Sequence, residues 1–349
     1  MSGGARLCVS IVNYRTPAHC IGCLESLLAE RADFADFHVV VADGASGDES
    51  LAILADWIER GGHGDWVALL PLDRNGGFGW AHNQVMLRAL QGETPPDYIY
   101  LLNPDAVVRG GTLHALVAEM DADPRRAVTG GVMDSPGGKV QLSAHHFPDW
   151  RMELATGART PGLLRLLGRT HAPQARAGRS VEVDWVSGSN FCVRAEAIRA
   201  CGLFDDGFFL YFEEIEWQWR LRRGGWTVWQ SANASILHEG GAATKVSRDP
   251  AVRARTPLPA YWYRSQRRYF MLTRGRAAAS AIFALWLMAR VTLGAARRLA
   301  SPRVRATGVY RETVDKVRCW REPARPAATP AVALWTDPPG RPPAWESAS

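Results

Sequence analysis

The stretch Tyr98–Asp105 reads Tyr-Ile-Tyr-Leu-Leu-Asn-Pro-Asp and joins an apolar run to a polar turn that ends in a carboxylate. Its first five residues lack polar alternation, which is typical of a strand covered on both faces in a parallel sheet. Asn103-Pro104 ends the strand, because proline has no N–H group and restricts the residue before it. Asp105 therefore falls at the carboxyl end of a strand, where open α/β sheets bind their ligands. Asp is also a common helix cap, so a structural role stays open at this point.

Three more apolar segments that predict strands precede this one, at residues 7–12, 37–42 and 66–70. Each is followed by a segment whose apolar residues recur at helical spacing. Ser46 and Glu49 fit a capping box that would begin the second of these helices. Strands that alternate with helices of this length predict a mostly parallel α/β sheet with helices on both faces.

Polar residues follow the first two strands at the point where each one ends. Asn13 and Asp43 occupy these positions, as Asp105 does after the fourth strand. The carboxyl ends of parallel strands line one crevice, so these side chains should lie near one another. Neither the G-x-G-x-x-G fingerprint nor a P-loop occurs, which disfavours a NAD enzyme. Gly76 and Gly77 would let the backbone approach a sugar or a phosphate, although an ordinary loop would use them equally.

Three carboxylates, Glu213, Glu214 and Glu216, follow an aromatic run in the second half of the chain. A carboxylate beside Phe and Trp is partly desolvated, which raises its pKa towards the range of a general base. The simpler interpretation of Glu216 is an ion pair with Arg220 at i+4. His238 ends another strand-like segment, as Asp105 does, and is therefore a candidate metal partner at the same crevice.

Basic residues concentrate near the carboxyl end of the chain. Residues 253–325 contain 17 Lys/Arg and 3 Asp/Glu, against a formal net charge of +6 for the whole chain. This asymmetry favours an anionic partner such as a membrane surface or a lipid phosphate, with a solvated basic helix as the alternative. Ala277–Ala289 is apolar, but its 13 residues are fewer than the roughly 20 that a membrane span needs. An interfacial helix or a plain packing helix is expected instead. The residues that suit the interfacial one are Arg276, Trp286, Arg290, Arg297 and Arg298.

Six cysteines are scattered along the chain. Cys20 and Cys23 have C-x-x-C spacing, but no second pair follows, so core packing is predicted for them. Nothing indicates a disulfide framework or a signal peptide, and a reducing cytoplasm is therefore the expected compartment.

Taken in chain order, these motifs resemble the inverting glycosyltransferases of family two, in particular the rhamnosyltransferase-like branch. The resemblance covers roughly residues 7–244. The matching segments are Val9–Tyr14, Asp43–Asp48, Asn75–Asn83, Leu101–Asp105, Phe209–Glu216, Gly225-Trp226 and His238–Gly241. Each motif is weak alone, but their common order is specific.

The resemblance implies a GT-A type fold in residues 1–245, with a nucleotide-sugar-binding half at 1–105 and an acceptor half at 106–245. A basic, partly amphipathic helical extension is expected at 246–322, followed by a disordered tail at 323–349. The implied cofactor is a divalent metal, Mg²⁺ or Mn²⁺, held by Asp105 and His238 on the diphosphate of a nucleotide-sugar donor.

Glu214 stands at the position of the family's catalytic base. The branch usually has Asp there, and the extra methylene moves the carboxylate by about 1.5 Å, a shift that can be costly in rate. The residues implied on the nucleotide-sugar side are Asn13, Asp43, Asn75, Gly76, Gly77, Asn83, Asn103 and Asp105. Those implied on the acceptor side are Trp185, Ser187, Gly188 and Glu213.

The expected function is metal-dependent, inverting transfer of a sugar, with rhamnose as a candidate, in bacterial surface polysaccharide synthesis. The acceptor would be a saccharide or a polyprenyl-diphosphate-linked saccharide, and the anionic partner of residues 253–325 the inner face of the cytoplasmic membrane. No nucleic-acid partner is expected, and the sequence does not indicate the oligomeric state. The alternatives are a catalytically silent protein that binds sugar nucleotides or membranes, and a nucleotidyltransferase. The latter is disfavoured because no Gly-rich basic loop opens the first strand.

Overall fold

A computed structural model describes residues 4–160, 162–168, 171–176, 178–240, 258–300, 307–323 and 325–329. For residues 33, 294–300 and 307–310 it describes the backbone alone. The strands are β1 Arg6–Asn13, β2 Asp36–Asp43, β3 Val67–Pro71, β4 Tyr98–Leu102, β5 Ala106–Val108, β6 Arg126–Asp134, β7 Val140–Gln141, β8 Ala144–His145, β9 Val181–Glu182, β10 Trp185–Val186, β11 Asn190–Arg194 and β12 Thr227–His238. The helices are α1 Pro17–Leu27, α2 Ser50–Gly61, α3 Phe78–Gln91, α4 Thr112–Asp121, α5 Trp150–Ala158, α6 Gly162–Leu166, α7 Ala195–Cys201, α8 Glu213–Arg223, α9 Ala260–Ala300 and α10 Thr307–Arg321.

One large sheet runs through the molecule in the order β3-β2-β1-β4-β11-β6-β12-β5. The first four strands of this order are parallel, as the alternation of strands and helices predicted. β11 is antiparallel to both β4 and β6, whereas β12 is parallel to β6 and antiparallel to β5. The predicted α/β class is confirmed, with a parallel half that continues into a mixed half.

β4 lies inside the sheet and is buried along its whole length. Tyr100 and Leu102 belong to the core on one face, beside α1 and α4. Ile99 and Leu101 belong to the core on the other face, beside α3 and α8. An unbroken apolar strand is needed here because both faces of the sheet are covered by helices.

Two local predictions have opposite outcomes. Cys20 and Cys23 are fully buried in the core, so the packing interpretation of the C-x-x-C spacing is confirmed. The capping box of Ser46 and Glu49 is wrong, because α2 begins at Ser50 and its cap makes no side-chain hydrogen bond. The hydroxyl of Ser46 donates to Asp43 instead, at 2.7 Å. The Asp43 carboxylate at the end of β2 is a strong hydrogen-bond acceptor, so the Ser46 hydroxyl binds it instead of capping α2.

The C-terminal helices pack on the part of the chain that contains the sheet rather than standing apart from it. α9 changes direction at Gly275, whose φ of 78° breaks the helical backbone. Before this break, Tyr269 and Phe270 are buried against Phe212 and Ile215 at the start of α8. α9 also packs on α5 and α10.

By length and composition, Ala260–Leu293 meets the criterion for a membrane span, with a mean hydropathy of 1.3 over 18 residues and 22% of that window buried. The apolar stretch that was expected to be too short thus belongs to a longer helix. Core helices of soluble proteins meet the same criterion.

Residues 325–329 continue the chain beyond these helices, within the stretch expected to be disordered. The amide of Ala328 donates to Asp205 at 2.9 Å, and its carbonyl accepts from the amide of Asp206. The predicted catalytic domain, helical extension and disordered tail also include residues 241–257 and 330–349, which are outside the described residues.

Candidate active site

Asp105 and His238 are brought together by the pairing of β5 with β12. In this antiparallel ladder His238 lies opposite Ala106, next to the carboxyl end of β4. The Nε2 atom of His238 lies 3.1 Å from Oδ1 of Asp105, and both side chains are nearly buried. Asp105 is followed by a strand rather than by a helix, which excludes the helix-cap interpretation. The short strand β5, which the sequence pattern did not reveal, therefore creates the pair.

This pair fits a divalent cation by its chemistry. A carboxylate oxygen and an imidazole nitrogen that face each other at 3.1 Å are both metal donors. Nδ2 of Asn103 lies 3.3 Å from the same imidazole nitrogen. Within the described ranges no cluster of three or more His, Cys, Asp or Glu could hold a metal ion. A metal here would therefore need further oxygen ligands from its substrate or from water.

Asn13 and Asp43 lie together at the ends of β1 and β2, as predicted, but both are engaged internally. Nδ2 of Asn13 donates to Asp43 at 2.7 Å, and Ser46 donates to the same carboxylate through its hydroxyl and its amide. Both residues are almost completely buried. We call Asn13, Asp43 and Ser46 the Asp43 cluster. Its hydrogen bonds fix the loop after β2, and contact with a nucleotide stays a prediction.

The glycine loop before α3 packs closely on the segment that leads to α8. A Cβ atom at Gly77 would lie 1.8 Å from the carbonyl oxygen of Phe209, and one at Gly76 would lie 2.2 Å from the ring of Trp80. The Phe209 carbonyl also accepts a hydrogen bond from the amide of Phe78. Asn75 accepts from the amide of Gly77. The glycines thus bring two chain segments into contact, and sugar binding by Asn75, Gly76 and Gly77 stays a prediction.

Asn83, another predicted donor residue, lies in the interior. Its amide donates to the carbonyl of Phe204 and to Asp206, and its oxygen accepts from the amide of Phe204. These three bonds occupy the side chain and hold the turn at 204–206 against α3. The structure thus gives Asn83 a positioning contact, and its predicted role in donor binding is not tested.

α8 begins with two residues in an unusual backbone conformation. Tyr211 and Phe212 have φ values of 68° and 71°, in the left-handed region that costs a non-glycine residue about 1–3 kcal/mol. Packing compensates for this cost, because Phe212 is buried against α9. The following residues, Glu213 and Glu214, are thereby held in the first turn of the helix.

The carboxyl groups of Glu213 and Glu214 are short of hydrogen bonds. One oxygen of each is buried and has no partner among the described residues. Burial raises the pKa of Glu214 to about 7. Burial and then the neighbouring charge of Glu214 raise the pKa of Glu213 well above its usual range. A carboxyl group whose pKa is raised towards neutral pH suits the role of a general base, and Glu214 has this property.

The predicted acceptor segment reaches Glu214 from the side of β10 and β11. A Cβ atom at Gly188 would lie 3.4 Å from Cγ of Glu214, so the glycine permits close approach. The carbonyl of Ser189 accepts from the amide of Asn103, which ties this segment to the end of β4. Neighbouring residues of this segment thus lie next to Glu214 and next to the end of β4. Contact of Gly188 with an acceptor stays a prediction.

Trp185 and Ser187 lie in the same segment. The indole N–H of Trp185 donates to the carbonyl of His146, and its ring stacks on His145 with centroids 4.4 Å apart. The amide of Ser187 donates to the carbonyl of Ser143 at 2.8 Å. These contacts orient the segment, while acceptor binding by either residue is not tested.

Glu216 pairs with Arg220 through two contacts of 3.1 Å, which confirms the simpler interpretation of that residue. The sequence did not indicate a role for Gln218, on the same helix. Its amide binds both the N–H and the carbonyl of Val186, so it holds β10 to α8. A lone Gln in a helix gives no signal of such a contact in the sequence.

The fold is that of the GT-A type glycosyltransferases. The chain belongs to glycosyl transferase family 2, whose family model matches residues 8–185. The strand–loop motifs named above fall largely inside this range, but Glu214 and His238 lie beyond it.

Similar proteins support this assignment. An N-acetylglucosaminyl-diphospho-decaprenol L-rhamnosyltransferase from Mycobacterium tuberculosis is 31% identical over 192 residues, which cover 53% of this chain and 62% of the relative. A low-salt glycan biosynthesis hexosyltransferase from Haloferax volcanii is 24% identical over 66% of each chain.

Solved structures share the fold. A mannosyltransferase from Pyrobaculum calidifontis, in complex with GDP-mannose and Mn²⁺, has a TM-score of 0.52 and 14% identity over 91% of this chain and 81% of its own. GalNAc-T7, solved with UDP, GalNAc and Mn²⁺, also has a TM-score of 0.52, with 16% identity over 83% of this chain and 54% of its own.

Proposed function

We propose that this protein is a metal-dependent, inverting glycosyltransferase that moves a sugar from a nucleotide diphosphate to a hydroxyl group of its acceptor. The observation that carries the proposal is the meeting of Asp105 and His238 near a helix that begins with a carboxyl group of raised pKa. A site that binds a diphosphate at one end and removes a proton at the other can perform this reaction.

The step assigned to Glu214 is proton removal. Its carboxylate accepts the proton of the acceptor hydroxyl while that oxygen bonds to the anomeric carbon, and the bond to the diphosphate oxygen breaks. Displacement from the opposite face inverts the configuration. The proximity of Gly188 leaves the Glu214 side chain space that another side chain would fill.

Asp105 and His238 would hold the metal. A bound Mg²⁺ or Mn²⁺ would offset the negative charge that develops on the leaving nucleoside diphosphate. The contribution of this chain is to hold the carboxylate and the imidazole against each other, with Asn103 beside them. Asp105 is the more accessible of the two, since it is 9% exposed and His238 is 1% exposed.

The relatives suggest the substrate class. The mycobacterial relative is named for transfer of L-rhamnose to a lipid-linked diphospho-sugar, and we propose a donor and an acceptor of the same classes here. Bacterial surface polysaccharide synthesis and a location at the inner face of the cytoplasmic membrane follow from such an acceptor.

Product analysis tests the proposal. The purified protein is incubated with Mn²⁺ and a panel of nucleotide sugars, first for thermal stabilisation and then with prenyl-diphosphate-linked acceptors. Release of a nucleoside diphosphate, together with a product of inverted anomeric configuration, supports it. Donor binding without turnover on any acceptor would indicate a silent binding protein, consistent with Glu in place of the usual Asp. Release of pyrophosphate would indicate a nucleotidyltransferase.

A further inference from the structure

Five of the basic residues in the C-terminal region form internal ion pairs among the described residues. Arg268 pairs with Asp205 of the catalytic half at 2.6 Å, and Lys316 pairs with Glu153, all four side chains being buried. Each acidic residue of 253–325 also has an arginine of the same region within 4.0 Å, in the pairs Arg264–Glu322, Arg290–Glu312 and Arg311–Asp315. The first two pairs join the region to the rest of the protein, and the other three lie within it. Together they leave an excess of exposed arginine.

The second part of α9 has one packed face and one exposed face. Ala279, Trp286, Ala289 and Arg290 are buried against the protein. The exposed row consists of small or apolar side chains at spacings of three or four, which place them on one side of a helix. Its members are Ala277, Ala281, Ala284, Met288 and Val291. Met288 and Val291 are 55% and 59% exposed, and Leu293 beside them is 42% exposed.

α10 runs antiparallel beside this part of α9. Phe283 stacks on Trp320 with ring centroids 4.4 Å apart. Further along α9, Arg290 pairs with Glu312, which precedes Trp320 in α10. Among the residues of α10 whose side chains are described, the exposed ones again follow a helical spacing and are Arg311, Val314, Arg318 and Arg321. At the other end of the apolar row, Arg274 and Arg276 are exposed. An apolar row is thus accompanied by arginines from both helices.

We propose that this face of α9 and α10, the docking face, lies on the surface of an anionic lipid bilayer. An apolar row inserts to the depth of the acyl chains while arginines meet acidic head groups. A second copy of the chain is a poorer occupant, because two faces of the same positive charge repel each other. The proposal deepens the proposed function, since it names the partner that would present a lipid-linked acceptor.

The helix lies on the bilayer and does not cross it. Trp286 is fully buried and the Arg290 side chain is 4% exposed, with Arg290 tied to Glu312. A spanning orientation would break these contacts and leave a charge in hydrocarbon. The first part of α9 packs on the start of α8, so docking would bring the catalytic helix near the head groups. Arg297 and Arg298, which the sequence suggested for this role, have side chains outside the described residues.

Vesicle flotation of the full chain tests the docking face. The vesicles are phosphatidylcholine alone or an equimolar mixture with phosphatidylglycerol. The double variant Met288→Glu, Val291→Glu alters only exposed side chains. Its matched control is Leu28→Glu, Ile53→Glu, two exposed positions at the end of α1 and in α2. We expect the first variant to lose vesicle binding by roughly tenfold or more, since each apolar side chain contributes about a decade to partitioning. The control should float like the unaltered protein.

A charge test complements it. Arg318→Glu with Arg321→Glu should weaken binding to the anionic vesicles by roughly fivefold or more per arginine, and less at high salt. Arg60→Glu with Arg125→Glu, at positions whose side chains are 80% and 73% exposed, is the control.

The outcomes separate this proposal from the proposed function. Transfer to a water-soluble acceptor should survive in all four variants, because none alters the site. Equal flotation of the docking-face variants and their controls would overturn the proposal. So would resistance of the membrane-bound protein to alkaline carbonate extraction, which indicates a span. Conversion from dimer to monomer by Met288→Glu, Val291→Glu, without vesicle binding of the unaltered protein, would show that a second copy occupies the face.

Discussion

The Asp43 cluster and the pair Glu213–Glu214 are both acidic and nearly buried, yet their surroundings differ. The Asp43 carboxylate accepts hydrogen bonds from Asn13 and, twice, from Ser46. Glu213 and Glu214 each keep a buried oxygen that has no partner among the described residues. The hydrogen bonds of the Asp43 carboxylate fix a loop. Glu213 and Glu214 keep a buried carboxyl oxygen without a hydrogen bond in the described part of the chain, and burial raises the pKa of both. Asp43 thus belongs to the framework around the site, whereas Glu214 has the surroundings expected of the proposed base.

The largest expected effect is at the reactive group. Glu214→Gln keeps the size of the side chain but cannot accept a proton, so kcat should fall by about a thousandfold with the thermal stability unchanged. Single-turnover measurement of nucleoside diphosphate release checks this. Glu216→Gln serves as the control, because Glu216 is tied to Arg220. If both variants retain full activity, Glu214 is not the base.

The pH profile of the same reaction follows from the raised pKa of Glu214. The base acts only when it is deprotonated, so kcat/KM should fall as the pH decreases through about 7. If the base had the ordinary pKa of Glu, kcat/KM would stay unchanged down to a much lower pH. Replacing Glu214 with Asp should move this acidic limb, whereas a limb that stays in place must belong to another group.

Removing the ion pair between Arg268 of α9 and Asp205, which lies before α8, should lower the free energy of unfolding. Arg268→Ala leaves Asp205 buried without its charged partner, and such losses amount to about 3–5 kcal/mol in the free energy of unfolding. Arg31→Ala removes an exposed partner of Asp65 and should change stability little. Urea denaturation of both variants measures the difference. Equal stabilities would show that the helices do not support the catalytic half.

Substitution in the proposed metal pair, Asp105 and His238, should lower the affinity for the nucleotide and leave the stability of the fold nearly unchanged. Asp105→Asn is expected to weaken Mn²⁺-dependent nucleotide binding by roughly ten- to hundredfold, a loss typical of disturbed metal sites. Calorimetric titration of the nucleoside diphosphate, with Mn²⁺ and with EDTA, measures it without any turnover. Affinity that is the same with and without Mn²⁺ in the unaltered protein would contradict the metal assignment.

The smallest effect is expected in the framework. Asp43→Asn turns one acceptor oxygen into a donor that faces the donors of Asn13 and Ser46, which should destabilise the fold by about 2 kcal/mol. Donor affinity of the folded fraction should change less than it does in Asp105→Asn. The reverse result, full stability with lost donor affinity, would make Asp43 a nucleotide contact and remove the distinction between the two acidic sites.

The sequence alone determined the α/β alternation, the buried strand β4 and the positions of Asn13, Asp43 and Asp105 at strand ends. These features depend on local periodicity and on the chemistry of proline and glycine, both of which can be read along the chain. Glu214 after an aromatic run and His238 at the end of a strand-like segment were also candidates from the sequence, and the family resemblance implied the role of each. The contacts that each of them makes could not be read from spacing alone.

Only the tertiary structure decided which of these residues meet and which are internal. Pairing between β5 and β12 sets His238 against Asp105 across more than 130 positions of the chain. Two aromatic residues with positive φ hold Glu213 and Glu214, and packing against α9 stabilises them. Asn83 is held inside the protein by a hydrogen bond to the carbonyl of Phe204, which is distant in the chain. Asp43 is held by a hydrogen bond from Ser46 in the loop after β2. Such contacts depend on long-range packing, which outweighs local preference and leaves no periodic trace in the sequence.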